Sequence, residues 1–175
     1  MQSFDPVWDE IYGSGQQLNR YPFSSVVTFL FRNRPRDKDR AATRILEVGC
    51  GAGNNLWFAA REGFDVSGID ASEPVIDHAR KWFDAEGLNA DLRVADFTAL
   101  PFEDASFDLV IERAGFSQAP KPVVKRAVQE VARVLVPGGA LHSEIYSDRA
   151  TARGQKMDGG MILSEDGPYA GVGQI

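Results

Sequence analysis

Cysteine is nearly missing from this chain. Cys50 is the single one in 175 residues, so no intramolecular disulfide can staple the fold. Histidine is scarce too: His78 and His142 lie far apart, with no Cys/His cluster at ligand spacing, and no metal site is expected. A surplus of positive charge is also lacking. The net charge of −6 and the pI near 4.9 argue against a general nucleic-acid surface, which needs clustered Lys and Arg. The basic run Arg32-Asn33-Arg34-Pro35-Arg36-Asp37-Lys38-Asp39-Arg40 is broken by Pro35, Asp37 and Asp39. It reads as a solvated linker, with a phosphate or partner contact as the alternative. No apolar run approaches the ~18 residues of a membrane span. No basic stretch followed by an apolar run opens the chain, so no signal peptide is expected and the cytoplasm is the expected location. What remains is 43% hydrophobic and 25% charged, the balance of one globular domain with its own core.

The most informative stretch is Ile45-Leu46-Glu47-Val48-Gly49-Cys50-Gly51-Ala52-Gly53-Asn54-Asn55. It reads as a buried strand, an acid near its end, three glycines at alternate positions, and a helix start. Glycines let the backbone turn sharply and let a ligand lie almost on the main chain. Free N–H groups at the following helix favour a polar ligand.

Around this loop, strands and helices alternate. Before it, Phe23, Val26, Val27, Leu30 and Phe31 mark one face of a helix, preceded by a mixed aromatic segment with Phe4, Trp8, Tyr12 and Tyr21. Strands are expected over 44–48, 65–69, 90–94, 107–111 and 140–146. Helices are expected over 54–62, from Ser72 to about residue 85, and from Val123 to Leu135, where Pro137-Gly138-Gly139 breaks the last one. The strands are mostly apolar rather than alternating, as helices on both faces would require. The pattern predicts an α/β fold with a doubly wound parallel sheet. Three segments follow: 1–43 as helical lid and linker, 44–146 as ligand-binding core, and 147–175 as a Gly-rich tail. The tail is read as loop, with room for a short helix or strand.

Two cofactor classes place a glycine loop after the first strand. Dinucleotide binders want G-x-G-x-x-G, but the third glycine position here is Asn54. A lone glycine pattern decides little, so the later strand ends matter. The ordered set consists of Leu46–Gly53, Gly68-Ile69-Asp70-Ala71-Ser72, Ala95-Asp96-Phe97, Leu100-Pro101-Phe102, Phe107-Asp108-Leu109-Val110 and Val134–Gly139. Over roughly 40–146 the chain resembles the class I S-adenosylmethionine (SAM)-dependent methyltransferases, most of all the branch acting on small molecules.

The resemblance implies a Rossmann-like core and the cofactor SAM. It implies that Asp70 accepts both ribose hydroxyls, while Ala71 and Ser72 flank the adenine and Asp96 and Phe97 meet its edge. It puts Glu47 and the Gly49–Gly53 backbone, including Cys50 and Gly51, near the methionine end, and counts Asn54 and Asn55 among the cofactor contacts. Glu112 and Arg113 border the acceptor pocket, and Tyr12, Arg20 and Tyr21 belong to a lid. No catalytic residue is fixed; Glu112, Arg113 and Tyr21 are the candidates. Plainer readings stand beside these. Asp70 could merely end a strand, Asp96 could cap a helix, and Tyr12 and Tyr21 could only pack on the sheet. Cys50 could be a nucleophile but reads better as a backbone contact. His142 could be a base but reads better as a core or face residue, and Trp57 and Phe58 read as core. Glu112 could be a base, a positioning group or structural.

The acidic Pro-Pro-aromatic motif of many amino-group methyltransferases is absent; Glu112-Arg113-Ala114-Gly115-Phe116 stands there. Similar proteins continue with an antiparallel sixth and seventh strand, which this chain is expected to lack. An open fifth strand then invites a partner copy, or the chain is a fragment. The alternatives to a small-molecule methyltransferase are a non-catalytic SAM-binding domain and an NAD(P)-dependent oxidoreductase.

Overall fold

A computed structural model describes residues 4–146, 154–156, 162–164 and 173–174. The helices are α1 (Val7–Gly13), α2 (Ser24–Asn33), α3 (Asn54–Arg61), α4 (Glu73–Ala85) and α5 (Lys121–Val134). The central strands are β1 (Arg44–Val48), β2 (Asp65–Asp70), β3 (Asp91–Val94), β4 (Phe107–Arg113) and β5 (Leu135–Glu144). They form one parallel sheet in the order β3-β2-β1-β4-β5. The order reverses between β2-β3 and β4-β5. That leaves a crevice at the carboxyl end of β1, where open α/β sheets take their ligands.

Side chains alternate across β1. Ile45 faces a core built with Val26 and Leu30 of α2, Leu56 and Ala59 of α3, and Ile76, Ala79 and Phe83 of α4. Leu46 and Val48 face the opposite core, with Ala127, Val131 and Val134 of α5. Both faces are therefore covered, and the doubly wound architecture expected from the sequence is what the chain adopts. Trp57 and Phe58 pack at the margin of the first core, as expected.

Three local differences have clear causes. The segment before α2, left unassigned by pattern, contains α1, whose residues are all partly exposed and so give no apolar stripe to read. Helix α5 ends at Val134, and β5 takes in Pro137-Gly138-Gly139 as a bulge. Phe107 pairs with Leu135 but Leu109 pairs with Ala140, so the extra residues loop out where Gly138 has φ +83°. In the tail, three short strands, β6 (Gly154–Lys156), β7 (Ile162–Ser164) and β8 (Gly173–Gln174), form a separate antiparallel sheet in that order. Among the described residues β5 pairs only with β4.

Asp108 pins the entry to the core. Its side chain is 2% exposed; one oxygen accepts from Lys38 Nζ at 2.6 Å and the other from the Arg44 N–H at 2.9 Å. Burial pushes its carboxyl up, but Lys38 and the Arg44 N–H together hold it below the usual range. Asp108→Ala is expected to cost about 2–3 kcal/mol, mainly by stranding the Arg44 N–H. The Lys38 share is discounted because that side chain is about a third exposed. Urea unfolding at pH 7 measures the loss. A lowered carboxyl stabilises above its unfolded value, so the gap between the two proteins should close as pH falls through the folded value.

Candidate functional site

The three alternate glycines all require the left-handed region: Gly49 at φ +69°, Gly51 at +52° and Gly53 at +82°. The loop they form folds back over β2, with the Cys50 N–H donating to the Ile69 carbonyl at 2.9 Å. Asp70 then closes it. One Asp70 oxygen accepts from the Gly51 N–H at 3.0 Å and the other from the Ser72 N–H at 3.0 Å. A single carboxylate thus joins the glycine loop to the turn before α4. Burial pushes Asp70 above the ordinary carboxyl range, the two N–H groups pull it back, and Asp9 pushes it up again.

A cavity opens over this loop. Its floor comes from Glu47, Gly49–Ala52, Asn54, Asn55, Ile69 and Asp70, one wall from Ala95 and Phe97, and another from Arg113–Gly115 and Gln118. Its roof is the N-terminal segment: Phe4, Asp5, Trp8, Tyr12, Gln17, Asn19 and Phe23. The Tyr12 hydroxyl sits over Gly51, only 3.4 Å from where a Cβ there would stand. Two asparagines clamp this roof. Asn54 Nδ2 donates to the Tyr21 carbonyl at 2.7 Å, and Asn55 Oδ1 accepts from the Phe23 N–H at 3.0 Å. From α1, Asp9 accepts from the Ser72 hydroxyl at 2.6 Å.

Glu47 is the electrostatic centre of the cavity. It is 2% exposed, and its Oε1 accepts from Asn55 Nδ2 at 2.7 Å. Its Oε2 is buried with no hydrogen-bond partner. Burial, more than any neighbour, raises its pKa from 4.5 to about 8. An orphaned carboxylate oxygen of this kind is costly unless a cation or donor arrives.

Of the expected site residues, Tyr12, Glu47, Gly49, Cys50, Gly51, Asn54, Asn55, Asp70, Phe97 and Arg113 line one cavity. Five do not. Tyr21 is 82% exposed, and what it contributes is its backbone carbonyl to Asn54. Ser72 is buried with its hydroxyl turned to Asp9, and Ala71 beside it stays out of the wall. Asp96 Oδ1 accepts from the Thr98 N–H at 2.7 Å and the Thr98 hydroxyl at 2.8 Å, a turn contact rather than a helix cap. Glu112 is fully buried behind the wall. Its Oε1 accepts from the Phe116 N–H at 2.8 Å and its Oε2 from the Ser143 hydroxyl at 2.5 Å. Both oxygens are engaged. Cys50 lines the cavity, but burial first, then Asp70 and Glu47, push its thiol up, so the nucleophile reading has no support. His142 lies outside the cavity, 3.1 Å from Glu144 and against the Phe29 ring.

Residues missed from sequence include Phe23, Trp8, Gln17, Asn19 and Gln118. The Trp8–Tyr12 spacing was an available signal: it is a helical i,i+4 pair, with ring centroids 5.4 Å apart. Ala114 carried none, yet it holds a left-handed φ of +62° in the cavity wall.

Known proteins match this arrangement. The family model described as a methyltransferase domain matches residues 45–139. A demethylmenaquinone methyltransferase of Clavibacter sepedonicus is 35% identical over 101 residues, which is 58% of this chain and 40% of that protein. The tRNA N(3)-methylcytidine methyltransferase trm140 of Schizosaccharomyces pombe is 29% identical over 176 residues, covering 91% of this chain and 54% of that one. A structure solved in work on the conversion of a disulfide bond into a thioacetal group during echinomycin biosynthesis superposes with a TM-score of 0.71 at 26% identity. It covers 84% of this chain and 61% of its own. The chain spans only 40% and 54% of the two curated relatives. No helix among the described residues is long and apolar enough to cross a membrane. The fold, the glycine loop and the matched family model together make the chain a member of the class I SAM-dependent methyltransferases.

Proposed function

We propose that the cavity holds SAM and that the protein transfers its methyl group to a small-molecule acceptor by direct displacement. The observation that carries this reading is Glu47, a buried carboxylate that lines the cavity and keeps one oxygen, Oε2, without a hydrogen-bond partner. Among the described residues, Asp5, Glu47 and Asp70 line the cavity against one cation, Arg113. Such a lining favours a ligand carrying ammonium and sulfonium charge and opposes the pyrophosphate of a dinucleotide. SAM supplies a methyl group already activated on sulfur.

The chain's own groups then have modest tasks. Glu47 takes the ammonium, Asp70 accepts from the ribose hydroxyls with its remaining lone pairs, and Ile69, Ala95 and Phe97 sandwich the base. Residues 4–23 cover the site and exclude water, and alignment of donor and acceptor supplies much of the barrier reduction. Of the three candidate catalytic groups only Arg113 reaches the cavity. An arginine stays protonated, so it cannot be the base. The segments 1–43, 44–146 and 147–175 act in this reading as lid, cofactor core and accessory tail.

The relative acting on tRNA raises a nucleic-acid acceptor as a second reading. The net charge of −6 favours a small molecule. A cytoplasmic location and pairing of two copies along the β5 edge complete the proposal.

The test is calorimetry against S-adenosylhomocysteine and NAD, followed by turnover with candidate acceptors. Micromolar S-adenosylhomocysteine binding with none for NAD is expected. The reverse preference would sink the cofactor assignment. Binding without turnover on any acceptor would instead favour a SAM-binding domain without catalysis.

A further inference from the structure

We propose that the methyl acceptor is a neutral, ring-bearing molecule with an N–H or O–H donor, and that Gln118 recognises that donor, with Gln17 of the roof as its second contact. This rests on the cofactor reading above and names the acceptor chemistry of the same cavity. Gln118 ends the short 3-10 turn Phe116–Gln118 that follows β4. The turn is firmly held. The Phe116 N–H donates to the buried Glu112 carboxylate at 2.8 Å, the Gln118 N–H donates to the Gly115 carbonyl at 3.1 Å, and the Ser117 hydroxyl accepts from the Tyr146 N–H at 2.8 Å. Phe116, Ser117 and Ala119 are buried, and Gln118 is the residue of the turn that lines the cavity.

A fixed backbone here carries an uncommitted side chain. Gln118 Oε1 is buried with no hydrogen-bond partner. The cavity's asparagines differ: Asn54 is spent on the Tyr21 carbonyl, and Asn55 on the Phe23 N–H and Glu47. With no bond on its oxygen, the Gln118 amide is free to turn about its last torsion and bring that oxygen to a ligand. Gln17 lines the same cavity from the roof and holds a left-handed φ of +56°. A glutamine pays for that conformation with backbone strain, and strain of this kind gathers at ligand sites.

The lining selects among acceptors by charge. Among the described residues, an anionic acceptor would meet Asp5, Glu47 and Asp70, while the one lining cation, Arg113, is already ion-paired to Glu144 at 3.3 Å. A cationic acceptor would lie against the sulfonium. A purely apolar acceptor would leave the Gln118 oxygen stranded in a closed site. A neutral donor satisfies that oxygen. The Trp8 and Tyr12 rings of the roof, with centroids 5.4 Å apart, suit a flat partner.

The experiment titrates the full chain, saturated with S-adenosylhomocysteine, with benzamide, acetophenone and benzoate. These probes share one shape; acetophenone lacks the donor and benzoate adds a charge. Nuclear magnetic resonance gives each Kd. Benzamide should bind about 5- to 20-fold more tightly than either of the others. The side-chain amide signal of Gln118, identified by its loss in Gln118→Met, should shift along the same titration curve. Gln118→Met should bring benzamide to within about twofold of acetophenone, and Gln17→Gly, which keeps the left-handed backbone, should weaken benzamide about threefold. Each of four results overturns the proposal: no preference for benzamide in the native protein, a preference that persists in Gln118→Met, benzamide binding untouched by Gln17→Gly, or an equal loss of benzamide and S-adenosylhomocysteine in Gln118→Met, which would mean that the side chain only shapes the cavity. Failure of the native protein to bind S-adenosylhomocysteine would reject the cofactor reading itself, a distinguishable result.

Discussion

Glu47→Gln is expected to make the ligand-free protein more stable at pH 8 while weakening S-adenosylhomocysteine binding by about 100-fold. The two effects share one origin. Glutamine keeps the oxygen that accepts from Asn55 and removes the charge whose burial is uncompensated. Burial raises the folded pKa of Glu47 to about 8, against an ordinary 4.5. A raised carboxyl gives stability that is complete below the unfolded value and lost as pH climbs through the folded one. Native protein should therefore lose stability between about pH 4.5 and 8, and the variant should not. The gain at pH 8 should reach about 2–4 kcal/mol, or a Tm rise of roughly 5–10 °C for a chain of this size. Affinity should run the other way: native binding of S-adenosylhomocysteine tightens as pH rises toward 8, because the ammonium needs the ionised acid, and the variant's binding stays flat. Scanning calorimetry and titration calorimetry from pH 5.5 to 8.5 check both. A variant no more stable than the native protein, with unchanged affinity, would remove Glu47 from its central place.

Asp70→Ala should have the largest effect on binding, about 100- to 1000-fold, because the two charge-assisted contacts to the ribose proposed for it would disappear together. It should also cost about 1–3 kcal/mol of stability, since the Gly51 and Ser72 N–H groups lose their acceptor. Its signature differs from that of Glu47. 5′-Methylthioadenosine carries the ribose but no amino acid, so Asp70→Ala should weaken it as much as S-adenosylhomocysteine, whereas Glu47→Gln should leave it unchanged. If Asp70→Ala binds both ligands like the native protein, Asp70 only braces the loop.

The contrast between these two acids shows what the sequence could reveal. Strands, helix faces and the glycine loop are local patterns, and they were legible because periodicity and spacing report them directly. Glu47 and Asp70 were legible as strand-end acids. That Asp70 would bridge two N–H groups, and that Glu47 would be left with one idle oxygen, depends on contacts made across strands. The misfit of Asn54 with a dinucleotide loop has a structural counterpart of this kind. The close approach comes from Gly68 on the next strand, where a Cβ would stand 2.5 Å from Leu56 Cδ1 and 3.0 Å from Cys50 Sγ. Asn54 and Asn55 are thereby free to hold the roof. Glu112 misled for the opposite reason. Its position after β4 suggests a site, but its carboxylate turns inward to Phe116 and Ser143, a choice of rotamer that no spacing encodes.

The asparagine clamp has a consequence for how the protein comes into being. Asn55 reaches back 32 residues to Phe23, Asn54 reaches 33 to Tyr21, and Ser72 reaches 63 to Asp9. During synthesis the N-terminal segment emerges well before any of its partners. Until β1, the loop and α4 exist, it has nothing to dock on, and each docking contact must close a long stretch of chain. The roof is therefore the first part of the cavity made, yet it has no docking partner until β1, the glycine loop and the turn before α4 exist.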